Sequence, residues 1–218
     1  MTFSIAGLCR VSGMFGAAVT TSSPAVGNRC PFARAGVGAV LTQHRTDPRL
    51  GPRGLDLLAA GKSAAKALAA LTEGDSQIGW RQLAVVDRAG RTAHFHGDRI
   101  ASVHGAAHGD GCVAIGNILA APGVPAAMAA AFERAAEAPL AERLLRGLEA
   151  GLAAGGEVKQ VKSAALLVVD REVFPLVDLR VDLDPAPVPR LRFLWELYEP
   201  FAPVAVIRAL DPDNAPPA

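Results

Sequence analysis

The sequence predicts an α+β fold in which antiparallel sheets pack against helices. Three observations carry this. Strand-like runs come in adjacent pairs joined by turn residues. Helical runs come in pairs between them. No glycine-rich dinucleotide or P-loop motif stands at a strand–helix junction, as a doubly wound nucleotide-binding sheet would require.

Residues 2–8 (TFSIAGL) and 15–21 (FGAAVTT) read as an opening hairpin, with Arg10-Val11-Ser12-Gly13 as the turn. Ser22 to Arg34 is loop-like, marked by Pro24, Gly27 and Pro31. Residues 35–43 (AGVGAVLTQ) form a buried strand whose glycines permit close approach. The Asp47–Gly54 stretch turns into a helical region carrying Leu55, Leu58, Ala65, Leu68 and Leu71, broken at Gly61. Runs 81–87 and 91–96 form a hairpin around Arg88-Ala89-Gly90. Gly105 to Gly111 reads as a small-residue loop, followed by a strand over 112–120. Helices are expected at 124–136 and 139–153, ended by Gly155-Gly156. Strands at 163–170 and 175–182 precede a last helix over 187–198. The reading is one domain over 1–210, with a Pro-rich tail, 211–218, that frays.

The chain has 218 residues, half of them hydrophobic, enough for one sizeable core. Lys and Arg total 22 against 21 Asp and Glu, so no strong global field draws it to nucleic acid or to a membrane surface. Cys9, Cys30 and Cys112 are odd in number and form no CxxC pair, which argues against a disulfide framework or zinc knuckle. Neither a secretory signal nor an apolar run of about 18 residues is visible. A soluble cytoplasmic protein is expected, without cofactor, acting on a small molecule.

The start Met1-Thr2-Phe3-Ser4 gives this chain its sharpest chemistry. An initiator Met is commonly removed ahead of a residue as small as Thr. Thr2 would then carry a hydroxyl and a free α-amine of pKa about 7.7–8.0, a nucleophile and its base on one residue.

Ordered segments spread over the chain carry a resemblance. They include the TFSI start, Ala35-Gly36-Val37-Gly38-Ala39-Val40 with Thr42-Gln43, Asp47-Pro48-Arg49-Leu50-Gly51, Arg81-Gln82-Leu83, Gly116-Asn117-Ile118-Leu119, Ala154-Gly155-Gly156 and Asp178-Leu179-Arg180-Val181-Asp182. On these the chain resembles the domain of unknown function 1028 family, grouped with the N-terminal nucleophile (Ntn) hydrolases. The resemblance implies a four-layer αββα sandwich, a nucleophile at the start of the first strand, and hydrolysis of an amide or related bond. Glu157-Val158-Lys159-Gln160-Val161-Lys162-Ser163 departs from the family pattern Asp-x-Arg-Gly-x-Gln-Ser, keeping the acid and base in type only.

Such a mechanism needs oxyanion donors and a group that tunes the amine. Candidate donors are backbone N–H groups near Gln43-His44 and the Asn117 side chain. Arg29 or Arg34 is the candidate cation, and Ser4, two residues along one strand face from Thr2, a candidate partner for the amine. A hydroxyl among Thr20, Thr21, Ser22 and Ser23 could reach Thr2. Gln43, His44, Arg49 and Arg81 are candidate substrate-binding residues. For Arg180 an ion pair with a nearby aspartate is preferred. Cys30, beside Arg29, offers a rival thiol nucleophile whose pKa adjacent charge would lower. His94, His96, His104 and His108 cluster within fifteen residues, and a metal-dependent hydrolase is the third alternative, after a non-catalytic ligand-binding protein. No metal is assigned. The helix bearing Trp195 and Tyr198 packs either on the domain or on a second copy in a homodimer.

Overall fold

Phe3 and Ile5 belong to one buried apolar cluster and Ala6 and Leu8 to another, so the first strand is covered on both faces. A strand of this kind sits between two packed layers. In the computed structural model, which describes residues 1–216, β1 (Thr2–Leu8) lies inside a six-stranded sheet. The other strands are β2 (Phe15–Thr21), β7 (His104–Gly109), β8 (Cys112–Asn117), β9 (Ser163–Val169) and β10 (Val177–Val181), in the order β10-β9-β2-β1-β8-β7. A second sheet runs β3 (Pro31–Arg34), β4 (Gly38–Gln43), β5 (Gln82–Asp87) and β6 (Thr92–His96) in sequence order. Every pairing is antiparallel.

The sheets face each other across Phe15, Ala17, Leu41, Ala84, Val86 and Ile115. Leu55, Leu58, Leu68 and Leu71 of α1 (Leu50–Ala59) and α2 (Ala64–Thr72) cover the outer face of the smaller sheet. Met128, Phe132, Leu144 and Leu148 of α3 (Val124–Arg134) and α4 (Leu140–Ala153) cover the larger one. The result is an α+β sandwich of four layers. α5 (Pro187–Tyr198) closes the β9–β10 end, and α6 (Ala202–Leu210) follows. Trp195 is buried within the same chain, its indole N–H donating to Glu142 Oε2 at 3.2 Å.

β1, β2 and α5 have the bounds the sequence predicts. Two expected loops differ. Pro31–Arg34 pairs with β4, because an edge strand tolerates a proline that lacks an N–H. Gly105–Gly111 is mostly strand: the ladder with β8 overrides the weak β-propensity of glycine and alanine. Residues 217–218 of the expected frayed tail lie outside the described residues, and Pro212–Asn214 forms a 3-10 turn. Gly51 lets α1 approach β3, since a Cβ there would lie 2.2 Å from Phe32 Cδ2.

Asp87 ties the smaller sheet to α2. Its carboxylate is 2% exposed and accepts from the N–H groups of Ala64, Ala89 and Arg91 and from Arg91 Nε at 2.8–3.1 Å. Burial works against the charge, but these donors outweigh it and hold the carboxyl below its usual range. Asp87→Ala is expected to cost about 2–4 kcal/mol in urea unfolding. Because the folded pKa is depressed, the wild-type advantage is present above the unfolded carboxyl value and is lost as pH falls through the folded one.

Candidate functional site

A cleft of about 330 Å³ opens at the start of β1, lined by Met1, Thr2, Thr21, Cys30, His44 and Arg45 among others. The β1–β2 hairpin register sets Thr2 beside Thr21, with their hydroxyls 3.2 Å apart. Both hydroxyls donate to the Met1 carbonyl. The expected second-strand hydroxyl is therefore Thr21, while Thr20 turns to the Ser163 carbonyl.

Below the cleft, three buried amides join the two sheets. Ser4 Oγ donates to Gln43 Oε1 at 2.7 Å, and Gln43 Nε2 reaches Gln82 Oε1 at 2.6 Å and the Thr2 carbonyl at 3.4 Å. Asn117 Nδ2 also donates to Gln82 Oε1, at 2.8 Å. Gln82 Nε2 donates to the Gly116 carbonyl and to His96 Nδ1, both at 2.8 Å. A carbonyl only accepts, so this pattern fixes the orientation of the Gln82 amide and makes His96 Nδ1 an acceptor. Burial first, then His94 and His104, pushes His96 down to about 4, so its ring is neutral near pH 7.

Glu157 arrives from the far end of the chain. Gly155 and Gly156 take φ values of 115° and 58° after α4. Leu119 then bridges to Glu157, whose Oε2 accepts from Ser22 N–H at 3.2 Å. The side chain is 7% exposed, and Oε1 has no hydrogen-bond partner among the described residues. Burial pushes its carboxyl up to about 7, opposed by the nearby N-terminal ammonium. Burial also lowers the Met1 amine from its ordinary value, with Glu157 acting in the other direction.

His44 and Arg45 follow β4 with φ of 56° and 47°, a left-handed stretch rare for non-glycine residues. It leaves the N–H groups of Arg45 and Thr46, also on the cleft, without a hydrogen bond among the described residues. His44 donates Nδ1–H to the Trp80 carbonyl at 2.7 Å, and burial lowers its pKa. Ile118, which ends the strand bearing Asn117, is also left-handed at φ 53°. Such residues cost of order 1–3 kcal/mol each and concentrate at functional sites.

The structure thus brings Thr2, Ser4, Gln43 and Asn117 together, with His44 on the cleft wall. It does not bring in Arg34, which makes an exposed pair with Asp56 at 2.9 Å. Arg49 forks onto Asp47 in a neighbouring depression that also holds Arg53 and Asp75. Arg81 Nε is buried without a partner among the described residues. Arg180 holds Asp178, the structural pairing expected. Cys30 departs from expectation: burial outweighs Arg29 and raises its thiol to about 11, leaving it protonated. The four histidines form a row joining the exposed edges β6 and β7, with His94 Nδ1 and His108 Nε2 2.7 Å apart. Among the described residues no group of three or more His, Cys, Asp or Glu is arranged to hold a metal ion.

Sequence reasoning missed Gln82 and left Glu157 without a role. A glutamine opening the otherwise apolar strand Gln82-Leu83-Ala84-Val85-Val86 was a signal for the first. For Glu157 there was none beyond the type of the residue.

No helix among the described residues is long and apolar enough to cross a membrane. No curated protein matches the chain. The crystal structure of protein SPO2555 from Silicibacter pomeroyi, a DUF1028 protein, is 31% identical, covering 90% of this chain and 88% of that one with a TM-score of 0.83. Anbu (ancestral beta-subunit) from Yersinia bercovieri superposes at a TM-score of 0.43 and 12% identity over 92% of this chain and 96% of that one. The model of the family of unknown function DUF1028 matches residues 2–191, and the chain belongs to that family.

Proposed function

We propose that the protein is an N-terminal nucleophile amidohydrolase acting on a small metabolite, with Thr2 made the first residue by removal of Met1. The observation that carries this is the position of Thr2. Its hydroxyl lies on the cleft, beside Thr21, at the start of β1. In this reading Thr2 Oγ adds to the amide carbonyl carbon and passes its proton to the Thr2 amine. The ammonium then protonates the leaving nitrogen as the C–N bond breaks. Water, deprotonated by the same amine, hydrolyses the resulting ester and frees the acid.

The remaining residues support these steps. The unbonded N–H groups of Arg45 and Thr46 are the donors for the developing oxyanion. Asn117 is fully buried and donates to Gln82, so it holds β8 against the second sheet instead of taking that role. Gln43, itself held by the Ser4 hydroxyl, reaches the Thr2 carbonyl from below. Of the two candidate cations, Arg29 lines the cleft and favours the neutral amine, Arg34 does not reach it, and Glu157 acts on the amine in the opposite direction.

The test is the mature N-terminus by intact mass, followed by an amide screen. Loss of one methionine with turnover supports the proposal. Retained Met1, its carbonyl capped by the two threonine hydroxyls, favours instead a ligand-binding protein without catalysis. Glu157→Gln supplies a further check. The carboxylate favours the charged amine, so removing it lowers the amine pKa. The acidic limb of kcat/KM is then expected to move to lower pH, and an unmoved limb would remove Glu157 from the site. We also propose a homodimer through the exposed Phe193, Leu197 and Phe201, to be checked as a doubled mass in light scattering.

A further inference from the structure

The cleft holding Thr2 is cationic. Arg29 and Arg45 line it, and no carboxylate does. Arg29 is anchored by neutral acceptors: Nη1 donates to the Pro24 and Ala25 carbonyls at 2.9 and 2.7 Å, and Nη2 to Ser23 Oγ at 2.6 Å. Its charge is therefore fixed in place but not neutralised. Arg45 is held differently. Its guanidinium lies 3.9 Å from the centroid of the Trp80 ring, and Arg99 approaches the same ring at 5.5 Å. His44 anchors that wall through the Trp80 carbonyl. Among the described residues Arg45 makes no ion pair, whereas Arg34, Arg49 and Arg180 each hold an aspartate. The Cys30 thiol is protonated and adds no negative charge. Two positioned guanidiniums beside one nucleophile outnumber the one nearby carboxyl, Glu157, which accepts from Ser22 N–H and faces the N-terminal amine, so the cleft is complementary to an anion carried by the ligand.

We infer that the substrate is an amide bearing a carboxylate, of the N-acyl amino acid class, with Arg45 and Arg29 binding the carboxylate while the amide carbon meets Thr2. The fate of the amide rests on the hydrolase reading; recognition of the carboxylate does not.

Binding is therefore measured in the Thr2→Ala protein, which cannot turn ligands over, by ligand-observed NMR. The probes are N-acetyl derivatives of the twenty amino acids, each paired with its own primary amide, so that a pair differs only in the carboxylate. The acids are expected to bind roughly tenfold or more tightly than their amides. That advantage should shrink as salt is raised and disappear in an Arg45→Ala background. Arg45→Lys, which keeps the charge but not the fork, should restore part of it. Arg45 is exposed, and an unchanged unfolding midpoint excludes misfolding as the cause. Equal binding of acid and amide in every pair, or a preference that survives Arg45→Ala, overturns the inference. A clear preference for acids with no hydrolysis by the wild type would leave it standing and sink the hydrolase reading.

Discussion

Thr2→Ala is expected to lower kcat for any amide substrate by about 10⁴–10⁶ and to leave the fold intact. Alanine is small enough for Met1 still to be removed, so the variant keeps the amine and loses only the hydroxyl. The structural cost is limited to the bond shared with Thr21 and the Met1 carbonyl, about 1 kcal/mol. Chemistry and folding therefore separate cleanly. Thr2→Ser should retain measurable turnover, because it keeps an oxygen on the same residue as the base. A Thr2→Ala protein with wild-type kcat on an identified substrate would end the proposal, whatever its N-terminus.

The largest effect on stability is expected at Gln82. Its amide accepts from Gln43 and Asn117 and donates to Gly116 and His96, all in the space between the sheets. Gln82→Leu fills that volume but strands two N–H donors and a carbonyl away from water. At about 1–3 kcal/mol for each unmet group, partly relieved by rearrangement, the expected loss is roughly 3–5 kcal/mol. This is a large share of the 5–15 kcal/mol typical of a folded domain. Gln82→Glu should also destabilise, since a carboxylate offers no proton to the Gly116 carbonyl. Urea denaturation with an unchanged slope is the measurement, and a loss under about 1 kcal/mol for Gln82→Leu would mean the network contributes little.

These two residues also mark what could be read in advance. Thr2 could be singled out because the chemistry proposed for it depends on chain position, and β1 and β2 were legible because their apolar runs and the turn after Cys9 are local signals. The Ser4–Gln43 bond was not, because it crosses from one sheet to the other over 39 positions and depends on how the layers align. Arg45 and Trp80 meet only through a left-handed backbone that no residue type there announces. Arg34 was not separable from Arg29, because the segment that reads as one loop before β4 contains the edge strand β3, which carries Arg34 to Asp56. Glu157 reaches Ser22 across 135 positions by way of two left-handed glycines, and pattern alone cannot place such a closure.

The packing around Met1 bears on how the protein should be produced. Its carbonyl sits between two hydroxyls, and its amine is partly buried beside Glu157. An affinity tag or fusion partner joined ahead of Met1 would put a peptide bond where the proposed base must be free. A preparation of that kind would fold, bind ligand and show no turnover, and so mimic the non-catalytic reading. A tag placed after α6 leaves the first strand untouched, and only protein made that way can report whether this cleft is an enzyme.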